Sequence, residues 1–315
     1  MKTIERLEQL RTLMKKSKID AYIVPSSDPH ISEYLPDYWK SRSWISGFTG
    51  SAGTVVITNK TAALWTDSRY FLQAEKELAG SGITLCKIGI PDTPSIESWI
   101  AFQLNKGDVC GFDGSIYQVN QAKNLIDFLT KSGIKCDSSA DLISKIWLNR
   151  PSLPMGNAFL QDLKYTGKSV SEKLAEIRKV MSFKGANTYL ISALDEVCWA
   201  FNIRGNDISY NPVALCYGYI DNNQAILFID LNKMDETLAN DLREERVTVK
   251  SYEKVEKQLS KLNKNDTIFI DPIKTNYRLY KSIPKKVTVI EATGIVTKLK
   301  SRKNSVELEG FRQAM

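Results

Sequence analysis

Apolar residues recur at helical spacing over residues 6–14, where Leu7, Leu10 and Met14 share one face, and residues 19–25 that follow read as a buried strand. The same succession returns later in the chain. Residues 173–181 have helical periodicity and residues 188–192 form an apolar run of strand type. Further strands are predicted at residues 54–58, 62–65, 83–88, 225–229, 267–270 and 287–290, with Asn59-Lys60-Thr61 as the turn of an antiparallel hairpin. Helices at about residues 70–79, 96–104, 119–132 and 252–262 alternate with these strands. The pattern predicts an α/β protein with mixed sheets flanked by helices.

A shift of 167 positions pairs Leu7 with Leu174, Arg11 with Arg178, Met14 with Met181, Tyr22 with Tyr189 and Asp28 with Asp195. Each half then carries a tryptophan ahead of a glycine-bearing loop, at Trp44 to Gly47 and Trp199 to Gly205, and Gly111-Phe112-Asp113 has a counterpart in Phe269-Ile270-Asp271. Order along the chain, more than any single match, argues for a duplicated domain. Two prolines and a glycine at Pro151, Pro154 and Gly156 break the pattern and divide residues 1–155 from residues 156–300. Residues 303–315 read as the opening turns of a helix with no stop signal, which predicts a continuing chain.

Composition narrows the class. At 315 residues, two domains of about 150 residues are expected. The net charge of +7 comes from interleaved signs, and residues 235–266 read as a solvated helical face. Residues 281–303 are more one-sidedly basic but lack interleaved aromatics, so no nucleic-acid partner is expected. No apolar run reaches the roughly 18 residues of a membrane span, and no membrane partner is expected. Five scattered cysteines, none in a C-x-x-C pair, predict buried free thiols in a reducing compartment, the cytoplasm.

Several stretches carry candidate chemistry. Gly47-Phe48-Thr49-Gly50-Ser51-Ala52-Gly53 is either a loop bordering a substrate cleft with Phe48 exposed on it, or a tight loop packed before the strand at residues 54–58. It has the spacing of neither a dinucleotide fingerprint nor a P-loop. In Trp65-Thr66-Asp67-Ser68-Arg69-Tyr70-Phe71, Asp67 or Ser68 is placed to cap a helix, and the forked Arg69 to hold a carboxylate or peptide carbonyl. Arg204 of Asn202-Ile203-Arg204-Gly205-Asn206-Asp207 is either a cleft residue or a turn residue paired with Asp207 or Asp195. His30 is the single histidine, which excludes a multi-histidine metal site and favours a cleft-facing or capping role over that of a base.

Taken in order, Asp28 to Tyr34, Gly47 to Gly53, Trp65 to Gln73, Ala193 to Glu196, Phe201 to Asp207 with Asn211-Pro212-Val213, and Lys303 to Gly310 resemble the N-terminal half of the Xaa-Pro aminopeptidase (aminopeptidase P) group in the creatinase/prolidase superfamily. The resemblance spans the whole chain. It implies two homologous ribonuclease-H-like domains, at residues 1–155 and 156–300, with residues 301–315 opening the helix into a third, catalytic domain. That domain would bind two divalent cations, usually manganese, through two Asp, one His and two Glu, and none of that ligand set maps onto this sequence. The resemblance thus implies no catalytic or metal residue and no cofactor in this stretch. It implies a proline-containing peptide as substrate, the chain's own catalytic domain as partner, and a possible homodimer of the complete enzyme. Arg69 is the first candidate for touching the peptide, followed by Phe48, His30 and Arg204. The alternative is a non-catalytic peptide-binding or scaffold protein.

Overall fold

A computed structural model describes residues 2–315, which fall into two α/β units. The first takes the chain up to Pro29 and again Asp37–Leu153; the second takes His30–Pro36 and Pro154–Met315.

In the first unit, α1 (Thr3–Lys16) precedes β1 (Ala21–Pro25), and α2 (Ser41–Ser46) precedes the hairpin of β2 (Thr54–Thr58) and β3 (Ala62–Thr66). Then follow α3 (Phe71–Glu77), β4 (Thr84–Lys87), α4 (Ile96–Gln103), β5 (Val109–Phe112), α5 (Val119–Lys131) and β6 (Lys135–Asp137). The sheet runs β4-β3-β2-β1-β5-β6. β1, β2 and β3 are antiparallel neighbours, and the outer pairings are parallel. β1 sits in the middle of the sheet, which explains why it is apolar on both faces. Leu7, Leu10 and Met14 of α1 are buried with Val24, Ile57 and Leu64. Each such leucine contributes about 1.5–3 kcal/mol by leaving water.

The second unit opens with the short strand β7 (Phe159–Leu160) and α6 (Leu163–Thr166), then α7 (Val170–Phe183), β8 (Thr188–Ile191), α8 (Leu194–Ala200) and β9 (Ile203–Arg204). After these come β10 (Cys216–Asp221), β11 (Ala225–Ile229), α9 (Glu236–Glu244), β12 (Val247–Ser251), α10 (Val255–Leu259), β13 (Thr267–Ile270), α11 (Tyr277–Ser282), β14 (Thr288–Glu291), α12 (Ile295–Ser301) and α13 (Ser305–Ala314). Its sheet, β12-β11-β10-β8-β13-β14, has the same succession of antiparallel and parallel pairings as the first. β7 and β9 pair separately. α1 and α7 start at Thr3 and Val170, and β1 and β8 at Ala21 and Thr188, a shift of 167 in each case. The duplication read from the sequence is therefore a duplication of fold.

Two expectations are corrected. The charged stretch 235–266 is not one helical face: α9 occupies its start, and β12 follows as an edge strand. The helix expected over 252–262 is a 3-10 turn at Tyr252–Lys254 leading into the five residues of α10. No helix among the described residues is long and apolar enough to cross a membrane.

Candidate functional site

In the first unit, α2 ends at Gly47 in the left-handed region (φ +76°), the usual glycine stop of a helix. The chain then folds back so that Phe48 is fully buried. The expectation of an exposed Phe48 is thus corrected, and the cause is Arg42. Its guanidinium, itself buried, donates to the carbonyls of Phe48 and Gly50 and, through Nε, to Ser26 Oγ at 2.9 Å. It also lies 4.8 Å from the centroid of the Phe48 ring. Burial pushes Arg42 down to about 10, still charged at neutral pH. Gly50 is needed because a Cβ there would fall 2.3 Å from Phe48 Cζ and 2.8 Å from Tyr70 Cδ1.

The outer side of this loop is polar and held by α3. The Thr49 amide and hydroxyl each donate to Glu77 at 2.7 Å, and Gln73 Nε2 donates to Thr49 Oγ1 at 2.8 Å. Ser51 Oγ and Tyr70 Oη share a hydrogen bond of 2.6 Å. Asp67 accepts from the Arg69 amide at 3.1 Å, capping the turn, and takes Arg69 Nε and Nη2 at 2.9 Å each. Hydrogen bonding to Arg69 holds the Asp67 carboxyl below its usual range. Arg69 is exposed, with its guanidinium 5.3 Å from the Tyr70 ring, while the Phe48 ring meets Tyr70 edge-on at 6.0 Å. Tyr70 therefore joins two of the candidates: its ring meets the buried Phe48 edge-on and lies near the exposed guanidinium of Arg69, while its hydroxyl bonds Ser51. Such a rim can offer hydrogen-bond donors to a carboxylate or a peptide carbonyl.

His30 and Arg204 belong to the second unit. His30 is buried, its Nδ1 2.7 Å from the Ser192 carbonyl and its Nε2 2.8 Å from Tyr252 Oη. A carbonyl only accepts, so Nδ1 carries the proton, and in the neutral ring Nε2 accepts from the tyrosine. The ring also packs on Tyr217 at 4.3 Å. This is a satisfied interior histidine. Arg204 Nη1 donates to the carbonyls of Cys198 (3.1 Å) and Ile203 (2.8 Å). The ion pairs considered for it are corrected: Asp207 pairs with the buried Lys233 at 2.5 Å, and Asp195 with Lys300.

Reasoning from residue patterns missed Arg42 and Tyr70. It also missed a cluster around α13. Lys173 of α7 is buried and donates to the Trp199 carbonyl (3.0 Å) and Asn202 Oδ1 (2.6 Å), with its Nζ 4.3 Å from the Trp199 ring. The indole of Trp199 donates to Glu307 at 2.9 Å. The motif signal was present only in Asn304-Ser305-Val306-Glu307, a capping-box pattern. The described cysteines are free thiols, all buried except the half-buried Cys136. Among the described residues, no three His, Cys, Asp or Glu side chains come together to hold a metal ion. The carboxylates of Asp67, Asp195, Asp207 and Glu196 are engaged by Arg69, Lys300, Lys233 and Lys274. This set does not fit a dinuclear centre.

Two tandem α/β units of one topology define a class. Residues 6–146 and residues 149–307 match two family models, each described as the creatinase/prolidase N-terminal domain, and the chain belongs to that family. Within it, the chain is similar to probable Xaa-Pro aminopeptidase P of Pyrenophora teres f. teres, 39% identical, over 99% of this chain and 49% of that protein. The protein of the same description from Leptosphaeria maculans is 37% identical over 99% of this chain and 52% of its own length. The crystal structure of X-prolyl aminopeptidase from Caenorhabditis elegans, described as a cytosolic enzyme with a di-nuclear active site, superposes with a TM-score of 0.94 at 32% identity, over 99% of this chain and 54% of that one. The chain spans about half the length of the relatives it matches.

Proposed function

We propose that this chain is the N-terminal part of an Xaa-Pro aminopeptidase, which removes the first residue from peptides with proline second. The observation that carries the reading is the coverage: 99% of this chain aligns with 49% of a probable Xaa-Pro aminopeptidase P, and both matched domains are N-terminal ones. In this reading the two divalent metals, manganese in our proposal, are held by a further domain. Held there, they would supply Lewis-acid chemistry for peptide-bond hydrolysis. The residues described here hold no part of that centre. Their work is to bind and restrict. Arg69, steadied by Asp67, offers its guanidinium to the peptide from the turn after β3, whose Tyr70 packs on the Phe48 ring of the loop that Arg42 holds. His30 and Arg204 brace the second unit. The complete enzyme works in the cytosol, as a possible homodimer.

The test is hydrolysis of an Xaa-Pro peptide with manganese, comparing the 315-residue chain with one extended through the downstream reading frame. Release of the first residue by the extended chain alone is expected. Cleavage by the short chain would overturn the placement of the chemistry, and inactivity of both would favour a peptide-binding protein.

A further inference from the structure

Strands β5 and β6 run parallel, and their register sets Cys110 opposite Cys136. Register partners point to the same face of a sheet, and neighbouring strands lie about 4.7–4.9 Å apart. Disulfides join residues whose Cα atoms are about 4.4–6.8 Å apart, so this pair stands within bonding range. Both are free thiols. β6 closes the edge of the sheet and is only three residues long, with Cys136 half-buried on it, while Cys110 is fully buried. An oxidant arriving from solvent therefore meets Cys136 first.

The other three thiols are placed differently. Cys86 lies opposite Trp65 in the sheet. The Cys216 thiol hydrogen-bonds Cys198, but both are buried in the core of the second unit, out of reach of an oxidant in solvent. Burial pushes the Cys136 thiol up to about 11 and raises Cys110 well above its usual range. Both are thus protonated at neutral pH and exchange slowly, which keeps the pair reduced until oxidant is in excess. Placement, not an activated sulfur, singles this pair out.

The geometry points to Cys110 and Cys136 as a reversible redox pair, which a low-molecular-weight disulfide such as oxidised glutathione closes into an intramolecular disulfide that staples β6 to β5. In the first step Cys136 gives up its proton and its sulfur bonds to one sulfur of the small disulfide. That S–S bond breaks, and the thiolate released takes up a proton. In the second step Cys110 loses its proton and attacks the Cys136 sulfur, releasing the second small thiol. Two protein thiols are oxidised by two electrons, and one small disulfide is reduced to two thiols. Parallel partners hold their Cβ atoms near the strand spacing, beyond the about 3.5–4.5 Å of a relaxed bridge, so β6 must shift inward by roughly 1 Å or less. A bridge under such strain is readily reduced again. It suits a reducing compartment, where disulfides are transient. The consequence is local. β6 leads into the segment that carries Leu142, Ile143 and Trp147 into the core. That segment also holds Tyr22, whose hydroxyl donates to the Ala140 carbonyl at 2.8 Å and accepts from the Leu142 amide at 3.1 Å. The staple fixes where the segment starts.

The test is to incubate the native 315-residue chain with excess oxidised glutathione, quench with an alkylating reagent and map the peptides by mass. Cys110 is expected to be linked to Cys136 with loss of two hydrogens, with Cys86, Cys198 and Cys216 still thiols, and dithiothreitol should reverse the link. Cys110→Ser should stop at the first step, with glutathione retained on Cys136. Cys136→Ser should acquire neither glutathione nor a link. If Cys110→Ser fails to fold, Cys136→Ser and the natural chain still decide. Amide hydrogen exchange over residues 136–142 should slow at least roughly tenfold on oxidation, because the staple suppresses local opening. A native chain that stays reduced, stops at a glutathione adduct on Cys136, or links Cys198 to Cys216 instead overturns the pair. So does a Cys110–Cys136 link that forms only in denaturant. A native link that leaves the exchange of residues 136–142 unchanged overturns the staple.

Discussion

Arg11 and Arg178 make the same hydrogen bond in two different units. Arg11 Nε donates to the Thr58 carbonyl at 3.0 Å, and Arg178 Nε donates to the Asp221 carbonyl at 2.8 Å. In each case a helix reaches the last residue of the strand antiparallel to the unit's first long strand. The tyrosines one element later behave alike: Tyr22 Oη accepts from the Leu142 amide at 3.1 Å and Tyr189 Oη from the Val296 amide at 3.4 Å. A duplicated fold has thus kept its polar fastenings as well as its apolar core.

Each fastening should be worth what a partly exposed charged hydrogen bond is worth. Arg11→Ala and Arg178→Ala are each expected to lower stability by about 1–2 kcal/mol. Sharing no partner, the two losses should add to within roughly 0.5 kcal/mol. Urea unfolding of both single variants and the double variant measures this. A coupling well above that margin would mean that the two contacts are not independent.

The glycine loop gives a sharper expectation. Gly50→Ala places a methyl group within 2.3 Å of Phe48 Cζ, so Phe48 must leave its rotamer or the loop must shift. We expect a loss of about 1–3 kcal/mol, as for an overpacked core. Arg42→Met should cost a similar amount by leaving the Phe48 and Gly50 carbonyls without their donor. Thermal unfolding checks both, and a neutral Gly50→Ala would mean the loop is looser than this packing requires.

Most of the fold was legible, because burial on both faces writes itself as apolar runs: residues 19–25 became β1, residues 54–58 became β2, and the turn at Asn59-Lys60-Thr61 joined β2 to β3. What escaped was polar or short. β6 is Lys135-Cys136-Asp137 at a sheet edge, with no apolar signature to read. β12 lies inside a charged stretch because an edge strand can leave Thr248 exposed and keep Lys250 half-buried, with its ammonium on Gln258. The site was harder still. Arg42 sits between two serines in a short helix, and nothing in the local pattern says that this arginine turns inward to bind carbonyls. Phe48 was legible as a loop residue, but its direction is set by Arg42 and Tyr70, six and twenty-two positions away.

Lys173 predicts a pH dependence. Burial lowers it from the ordinary 10.5 to about 8. Below pH 8 it is protonated in both states, and the folded protein bears the full cost of holding a charge out of water. Between about pH 8 and 10.5 the unfolded chain binds more protons than the folded one, so this residue makes stability rise with pH across that window. Other groups titrate there too, so the measurement is a difference. The stability of the natural chain minus that of Lys173→Met, from urea unfolding at about pH 7 to about pH 10, should increase. A flat difference would mean that Lys173 keeps its ordinary proton affinity in the fold.

Arg69 separates function from architecture. Its partner is Asp67, two residues away, and its side chain is 68% exposed. Surface pairs of this kind are worth about 0–1 kcal/mol, so Arg69→Ala should unfold within roughly that margin of the natural chain. In the chain extended through the downstream reading frame, the same substitution should lower kcat/KM for Xaa-Pro peptides long enough to reach the rim of Ser51, Arg69 and Tyr70, while leaving the shortest substrates nearly unchanged. Arg69→Lys keeps the charge but loses the fork, and should recover only part of the loss. If Arg69→Ala instead lowers stability as much as Gly50→Ala does, or slows short and long peptides alike, Arg69 acts through the fold and does not meet the peptide.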